Sequence, residues 1–150
     1  MADIHRSRTI AAPADEIWSV LADFGSISSW ASNADHSCIL FSGADGAAVG
    51  TARRIQVKRD TLVERITEFT PPHALGYDIE GLPKRLRRVS NRWTLTPAGA
   101  GATDVTLTST VEIGPRPGEK LAERLLCRVV ARQSDSMLAG LAKRMENVHV

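Results

Sequence analysis

The spacing of apolar residues changes twice along this chain, and the changes mark its elements. Ile4 to Ile10 predicts a short strand that ends at Ala11-Ala12-Pro13. Proline in the first turn of a helix lacks only an N–H that would find no partner there, and Asp15 and Glu16 suit the positive end of the helix dipole. Ile17, Val20, Leu21 and Phe24 then recur at i, i+3, i+4 and i+7, one face of a helix that Gly25 stops. Ser26 to Ser32, carrying Ile27 and Trp30, predicts a second short helix.

From residue 36 to 113 the period is two, giving strands over His36–Ser42, Val49–Lys58, Thr61–Phe69, Ala74–Glu80, Arg87–Thr96 and Thr103–Ile113. The breaks carry turn residues: Gly43-Ala44-Asp45-Gly46, Arg59-Asp60, Pro71-Pro72, Gly81-Leu82-Pro83 and Pro97-Ala98-Gly99. Such short gaps imply hairpins and an antiparallel meander. Val89, Asn91, Trp93 and Leu95 share one face of their strand, and Val105, Leu107, Ser109, Val111 and Ile113 share one face of the next. One side of the sheet is therefore covered and the other wet.

The cover is the last segment, roughly Gly118 to Asn147, where helical spacing returns. Its first half presents Leu121, Leu125, Leu126, Val129 and Val130, and its second Met137, Leu138, Leu141 and Met145. At 3.6 residues per turn these stripes are offset by roughly 100°, which predicts a kink or bend between Arg132 and Gly140. The chain reads as α+β, a curved seven-stranded antiparallel sheet around a long C-terminal helix, with two short helices after the first strand.

Composition narrows the classes. A length of 150 residues fits one domain, 1–150, with a core that needs no metal or disulfide. Cys38 and Cys127 show no pairing or ligand spacing; two free thiols fit a reducing, cytoplasmic setting. No apolar run approaches the ~18 residues of a membrane span, and the first residues lack the apolar core of a signal peptide. The formal net charge of +2 is too small to imply nucleic-acid binding.

The order of these elements resembles the helix-grip fold of the START and pollen-allergen superfamily, and more narrowly its polyketide cyclase/dehydrase-like (SRPBCC) proteins. The residues that carry the resemblance are Ile10-Ala11-Ala12-Pro13, Ile17-Trp18, Asp23-Phe24 and Trp30. They continue through Gly50-Thr51-Ala52-Arg53, Glu64, Tyr77, Trp93-Thr94-Leu95-Thr96-Pro97 and Thr103. The resemblance spans the chain and implies a cavity between sheet and helix. In related aromatase/cyclases, aromatics at positions like Trp30 and Trp93 line the polyketide pocket.

The strongest polar constellation lies at inward positions. Folding through Arg59-Asp60 sets Ile55 opposite Glu64 and Arg53 opposite Ile66, so Arg53 and Glu64 lie diagonally on one face. The resemblance turns that face towards the cavity. Neither charge is stable there alone, so the two should pair directly or through water. Three roles stay open: a register-fixing ion pair, an anchor for a ligand carboxylate, hydroxyl or ketone, or proton transfer by Glu64. Trp30, Tyr77 and Trp93 suit an amphipathic pocket wall, while Trp18 lies off its helix stripe and is expected against the sheet edge. Asn91, Ser109 and Gln133 interrupt apolar stripes, with Met137 next to Gln133 on the inward helix face.

Other signals carry less. Asp35-His36-Ser37 has triad residue types, but neighbours in a strand point to opposite faces. His5, His73 and His149 have no ligand spacing, and no nucleotide or hydrolase motif occurs, so no metal or other cofactor is expected. Lys84-Arg85, Arg87-Arg88 and Arg92 form a basic run readable as a solvated strand edge or a cavity lip, and Gly81-Leu82-Pro83 as a gate loop.

These readings converge on a binder of a small hydrophobic or amphipathic molecule of polyketide, lipid or terpenoid class, monomeric or homodimeric. Trp30, Arg53, Glu64, Tyr77, Asn91, Trp93, Ser109, Gln133 and Met137 are the expected ligand contacts. The alternative is a cyclase with Arg53, Glu64 and Tyr77 catalytic. Related cyclases, however, place a cavity arginine two residues beyond the position of Glu64, where this chain has Ile66. A third reading is a partner-binding module, regulatory or of toxin–antitoxin type.

Overall fold

A computed structural model describes residues 2–82, 86–113 and 119–148. Strand β1 (Ala2–Ile10) leads into helix α1 (Ala14–Ala22) and a 3-10 segment (Phe24–Ser29). Strands β2 (His36–Phe41), β3 (Ala52–Val57), β4 (Asp60–Thr70), β5 (Ala74–Glu80), β6 (Leu86–Pro97) and β7 (Thr103–Ile113) follow, then helix α2 (Glu119–Val148). The strands form one antiparallel sheet in the order β1-β7-β6-β5-β4-β3-β2. This is the antiparallel meander that the alternation and short gaps predict, in the helix-grip arrangement that the resemblance implies. The short helix expected over Ser26–Ser32 is the tighter 3-10 segment, and β3 starts at Ala52 because Gly50, at φ +91°, turns the chain just before it.

The core lies between the sheet, the first two helical segments and the second half of α2. Ile17, Leu21, Phe24 and Ile27 meet Trp93, Leu95, Val105 and Leu107 of the sheet and Met137, Leu138, Leu141 and Met145 of α2, all buried. Thr103 at the start of β7 donates to the Ala12 carbonyl at 2.7 Å, pinning the turn between β1 and α1. Trp18 is not at a sheet edge: its ring meets Phe69 at 5.1 Å, on β4 in the interior of the strand order.

Helix α2 runs from Glu119 to Val148 with no break between Arg132 and Gly140. The offset between its stripes has a different cause. Met137, Leu138, Leu141 and Met145 pack into the core, whereas Leu121, Leu125 and Val129 are exposed. The first-half stripe is not a second core face. Gly140 sets how closely α2 approaches the 3-10 segment: a Cβ there would lie 2.4 Å from the Trp30 carbonyl oxygen. At an open helix position Gly→Ala gains up to ~1 kcal/mol. Gly140→Ala should instead destabilise the fold by about 1–3 kcal/mol through overpacking, read from urea denaturation.

Candidate functional site

The hairpin of β3 and β4 positions the central ion pair. It closes between Val57 and Asp60, and Arg53 lies directly opposite Glu64, two residues from the expected register. Lys58 takes the left-handed φ of +55°, and its N–H donates to Asp35 Oδ2 at 2.7 Å, which fixes the turn at Lys58-Arg59. A slip of two leaves every side chain on its original face, so both charges remain inward.

Arg53 is enclosed on every side that the structure describes. Its Nε donates to Glu64 Oε1 at 2.8 Å, its Nη2 lies 2.6 Å from the same oxygen, and its Nη1 donates to the Phe24 carbonyl at 2.9 Å. The guanidinium carbon sits 3.7 Å from the Phe24 ring centre and 4.7 Å from that of Tyr77. Arg53 is 2% exposed and Glu64 5%. The second carboxylate oxygen of Glu64 makes no hydrogen bond among the described residues.

A second network crosses β5, β6 and β7, where Tyr77 opposes Asn91 and Asn91 opposes Ser109. Ser109 Oγ donates to Asn91 Oδ1 at 2.6 Å, and Asn91 Nδ2 donates to the Tyr77 hydroxyl at 3.3 Å. Trp93 Nε1 donates to the same hydroxyl at 3.2 Å, and the Trp93 ring meets Trp30 edge to face at 5.9 Å. Burial, reinforced by the Glu64 charge, pushes the Tyr77 phenol above its ordinary value, while Arg53 and the bonds from Trp93 and Asn91 act the other way.

In front of both networks lies a cavity of about 580 Å³ between the sheet and the first half of α2. Ile55, Glu64, Ile79, Val89 and Asn91 form its sheet wall, and Leu126, Val130, Gln133 and Met137 its helix wall. Ile27 and Asn33 border it between them, and the exposed Asp60, Thr61 and Gly81 mark its rim. Gly81, at φ +87°, brings the chain after β5 close to the Thr61 carbonyl.

The residues picked from sequence therefore divide. Glu64, Asn91, Gln133 and Met137 line the cavity; Arg53, Tyr77, Trp93 and Ser109 are not among its lining residues and hold the lining from behind. Trp30 borders a separate groove with Gly140, Lys143 and Arg144. Gln133 is exposed rather than buried, because its turn of α2 faces the cavity opening; the buried polar residue beside it is Ser134. Sequence reading missed Asn33, whose Oδ1 is buried without a partner, and the role of Phe24 as the far wall for Arg53.

The basic run is partly neutralised. Arg92 grips both oxygens of Glu68, at 2.7 and 3.0 Å, across Gly76 of the intervening β5, and Arg88 pairs with Asp78 at 3.3 Å. Pro83, Lys84, Arg85 and His149 lie outside the described residues. His36 is exposed and is not among the cavity residues. Among the described residues no helix is long and apolar enough to cross a membrane.

The fold, a sheet gripping a long helix, is shared with many solved structures, and one sequence profile decides the family. The description of that family is polyketide cyclase / dehydrase and lipid transport, and its profile matches residues 1–146. The chain belongs to this family. The START superfamily protein from Mycobacterium smegmatis is similar, with 17% identity, a TM-score of 0.79 and coverage of 97% of this chain and 98% of that one. The Zhui aromatase/cyclase from a Streptomyces species superposes with 22% identity, a TM-score of 0.80 and coverage of 97% and 93%. A Thermobifida fusca protein gives 24% identity, a TM-score of 0.79 and coverage of 96% and 93%. At these identities the likeness is one of fold. No curated protein matches the sequence.

Two outcomes follow for this family member. Arg53→Met, which strands a buried carboxylate, should cost about 3–5 kcal/mol, and Arg53→Met with Glu64→Leu much less than two such losses; urea denaturation of the single and double variants checks this. Tyr77 is the only tyrosine. Its folded-state pKa is raised, so its contribution to stability is complete below the unfolded value near ~10 and is lost as pH rises beyond it. The tyrosinate absorbance should therefore appear only with unfolding in an alkaline titration, and Tyr77→Phe should flatten the loss of stability with pH.

Proposed function

We propose that the protein binds a small hydrophobic or amphipathic molecule, of polyketide, lipid or terpenoid class, between the sheet and α2. The observation that carries this reading is the cavity: about 580 Å³ with mostly apolar walls and a few fixed polar groups, the form of a small-molecule site. Apolar contacts with Ile55, Ile79, Val89, Val130 and Met137 supply affinity as the ligand leaves water. Glu64 and Asn91 orient it, and Arg53, Tyr77, Trp93 and Ser109 hold those two in place. Trp30 contributes by backing Trp93, and Gln133 by standing at the opening.

The unpaired Glu64 oxygen also supports the second reading, a cyclase in which this carboxylate removes a proton from a poly-β-ketone. That chemistry needs a donor for the developing enolate. Arg53 is closed off by Phe24, Tyr77 and Glu64, and Tyr77 stands behind Asn91. The geometry offers a holder of a carboxylate rather than an oxyanion donor, so binding without turnover is the reading it supports better.

Native mass spectrometry of the protein as purified, followed by extraction, tests the proposal. An apolar molecule should be released from the wild type and absent from Val130→Trp, which fills the cavity from the helix wall. An equal load on both proteins, or a wild type that takes up no apolar compound at any concentration, would overturn it.

A further inference from the structure

The cavity presents acceptors, and among the described residues its lining holds no cation, since Arg53 is withheld behind Glu64. Glu64 lines the space and Arg53 does not, and the second Glu64 oxygen makes no hydrogen bond among the described residues. Asn33 borders the same space, and its buried Oδ1 has no partner. The whole Asn33 side chain makes no hydrogen bond among the described residues. Asn33 is the third residue of the turn that the Ala34 N–H closes on the Ala31 carbonyl, which accounts for its place in the backbone but not for its side chain. Its φ is not in the left-handed region, and its side chain caps no helix and closes no turn. A buried acceptor left unpaired costs about 1–3 kcal/mol, so a partner from outside the chain is the physical complement.

We infer that Asn33 and Glu64 together select an apolar ligand that carries hydroxyl donors, a phenol or an alcohol, and that Asn33 is a specificity-determining contact. The inference rests on the cavity being a ligand site. A hydroxyl donates to Glu64 or to the Asn33 oxygen. A carboxylate would set its own negative oxygens against the free Glu64 oxygen and gain nothing from Arg53, leaving it only the Asn33 amide N–H as a donor. A cation gains little as well, because Arg53 already neutralises Glu64. Of the three ligand groups that the sequence leaves open for this ion pair, carboxylate, hydroxyl and ketone, these acceptors favour the hydroxyl.

The test uses three matched probes, naphthol, methylnaphthalene and naphthoate, substituted at the same carbon and titrated at neutral pH by protein chemical shifts. Naphthol should bind about tenfold more tightly than methylnaphthalene, the equivalent of one hydrogen bond to a buried polar group, and naphthoate more weakly than either. Asn33→Ala should shrink the naphthol advantage by about threefold or more, leave methylnaphthalene unchanged, and melt no lower than the wild type, since it removes an unpaired acceptor. Equal binding of naphthol and methylnaphthalene overturns the inference, as does a preference for naphthoate. An Asn33→Ala protein that loses stability and all probes alike overturns it too, by showing a structural role. In each of these cases the cavity still binds and the proposed function stands. Failure of all three probes to bind the wild type removes the ligand site itself, and both readings fall.

Discussion

Burying Arg53 and Glu64 under one sheet face forces most of the surrounding geometry. Two opposite charges that are almost fully removed from water are tolerable only when nearly every donor has an acceptor and the pair is held at contact. The arginine meets this demand in three directions: Glu64 across the hairpin, the Phe24 carbonyl behind it, and two aromatic faces around it. Meeting it fixes the 3-10 segment against β3 and draws Phe24 and Tyr77 to 5.5 Å of each other. The glutamate is satisfied through one oxygen only. The asymmetry of the pair, closed on the arginine side and open on the carboxylate side, gives the cavity its chemical character.

The helix divides along the same line. Its second half completes the core, helped by Gly140, where any side chain would press on the Trp30 carbonyl. Its first half has no core to enter, because the space beneath Leu126 and Val130 is cavity. Side chains that would have closed it are short or turned outward. Val57 and Val89 line it with little reach, Val129 lines it while half exposed, and Leu121 and Leu125 are exposed.

These two halves explain what could be read from sequence. Strand alternation placed Arg53 and Glu64 on one face even though the hairpin register was two residues out, since a slip of two preserves facing. Asn91 and Ser109 were legible for the same reason, as polar residues inside apolar stripes. Gln133 and Leu121 were misplaced because a helical stripe says which residues share a face, not whether that face meets a core, a cavity or water. Asn33 carried no periodic signal at all. Its interest comes from the missing partner, and a missing partner is a property of packing that spacing along the chain does not contain.

The same reasoning limits what the aromatic residues do. Trp30, Trp93 and the lone tyrosine suggested a ring-lined pocket, yet Trp93 and Tyr77 form a hydrogen-bonded wall one layer back. A ring that anchors an amide is held rigid by that bond, and Asn91 is rigid in turn between Tyr77 and Ser109. Rigidity in the second layer leaves the first layer, Glu64 and Asn91 among short aliphatic residues, with fixed polar atoms in an otherwise adaptable apolar space. A site built this way discriminates by the position of a hydrogen-bonding group far more than by the outline of a ligand, because an aliphatic wall yields to shape while an unmatched buried polar atom does not.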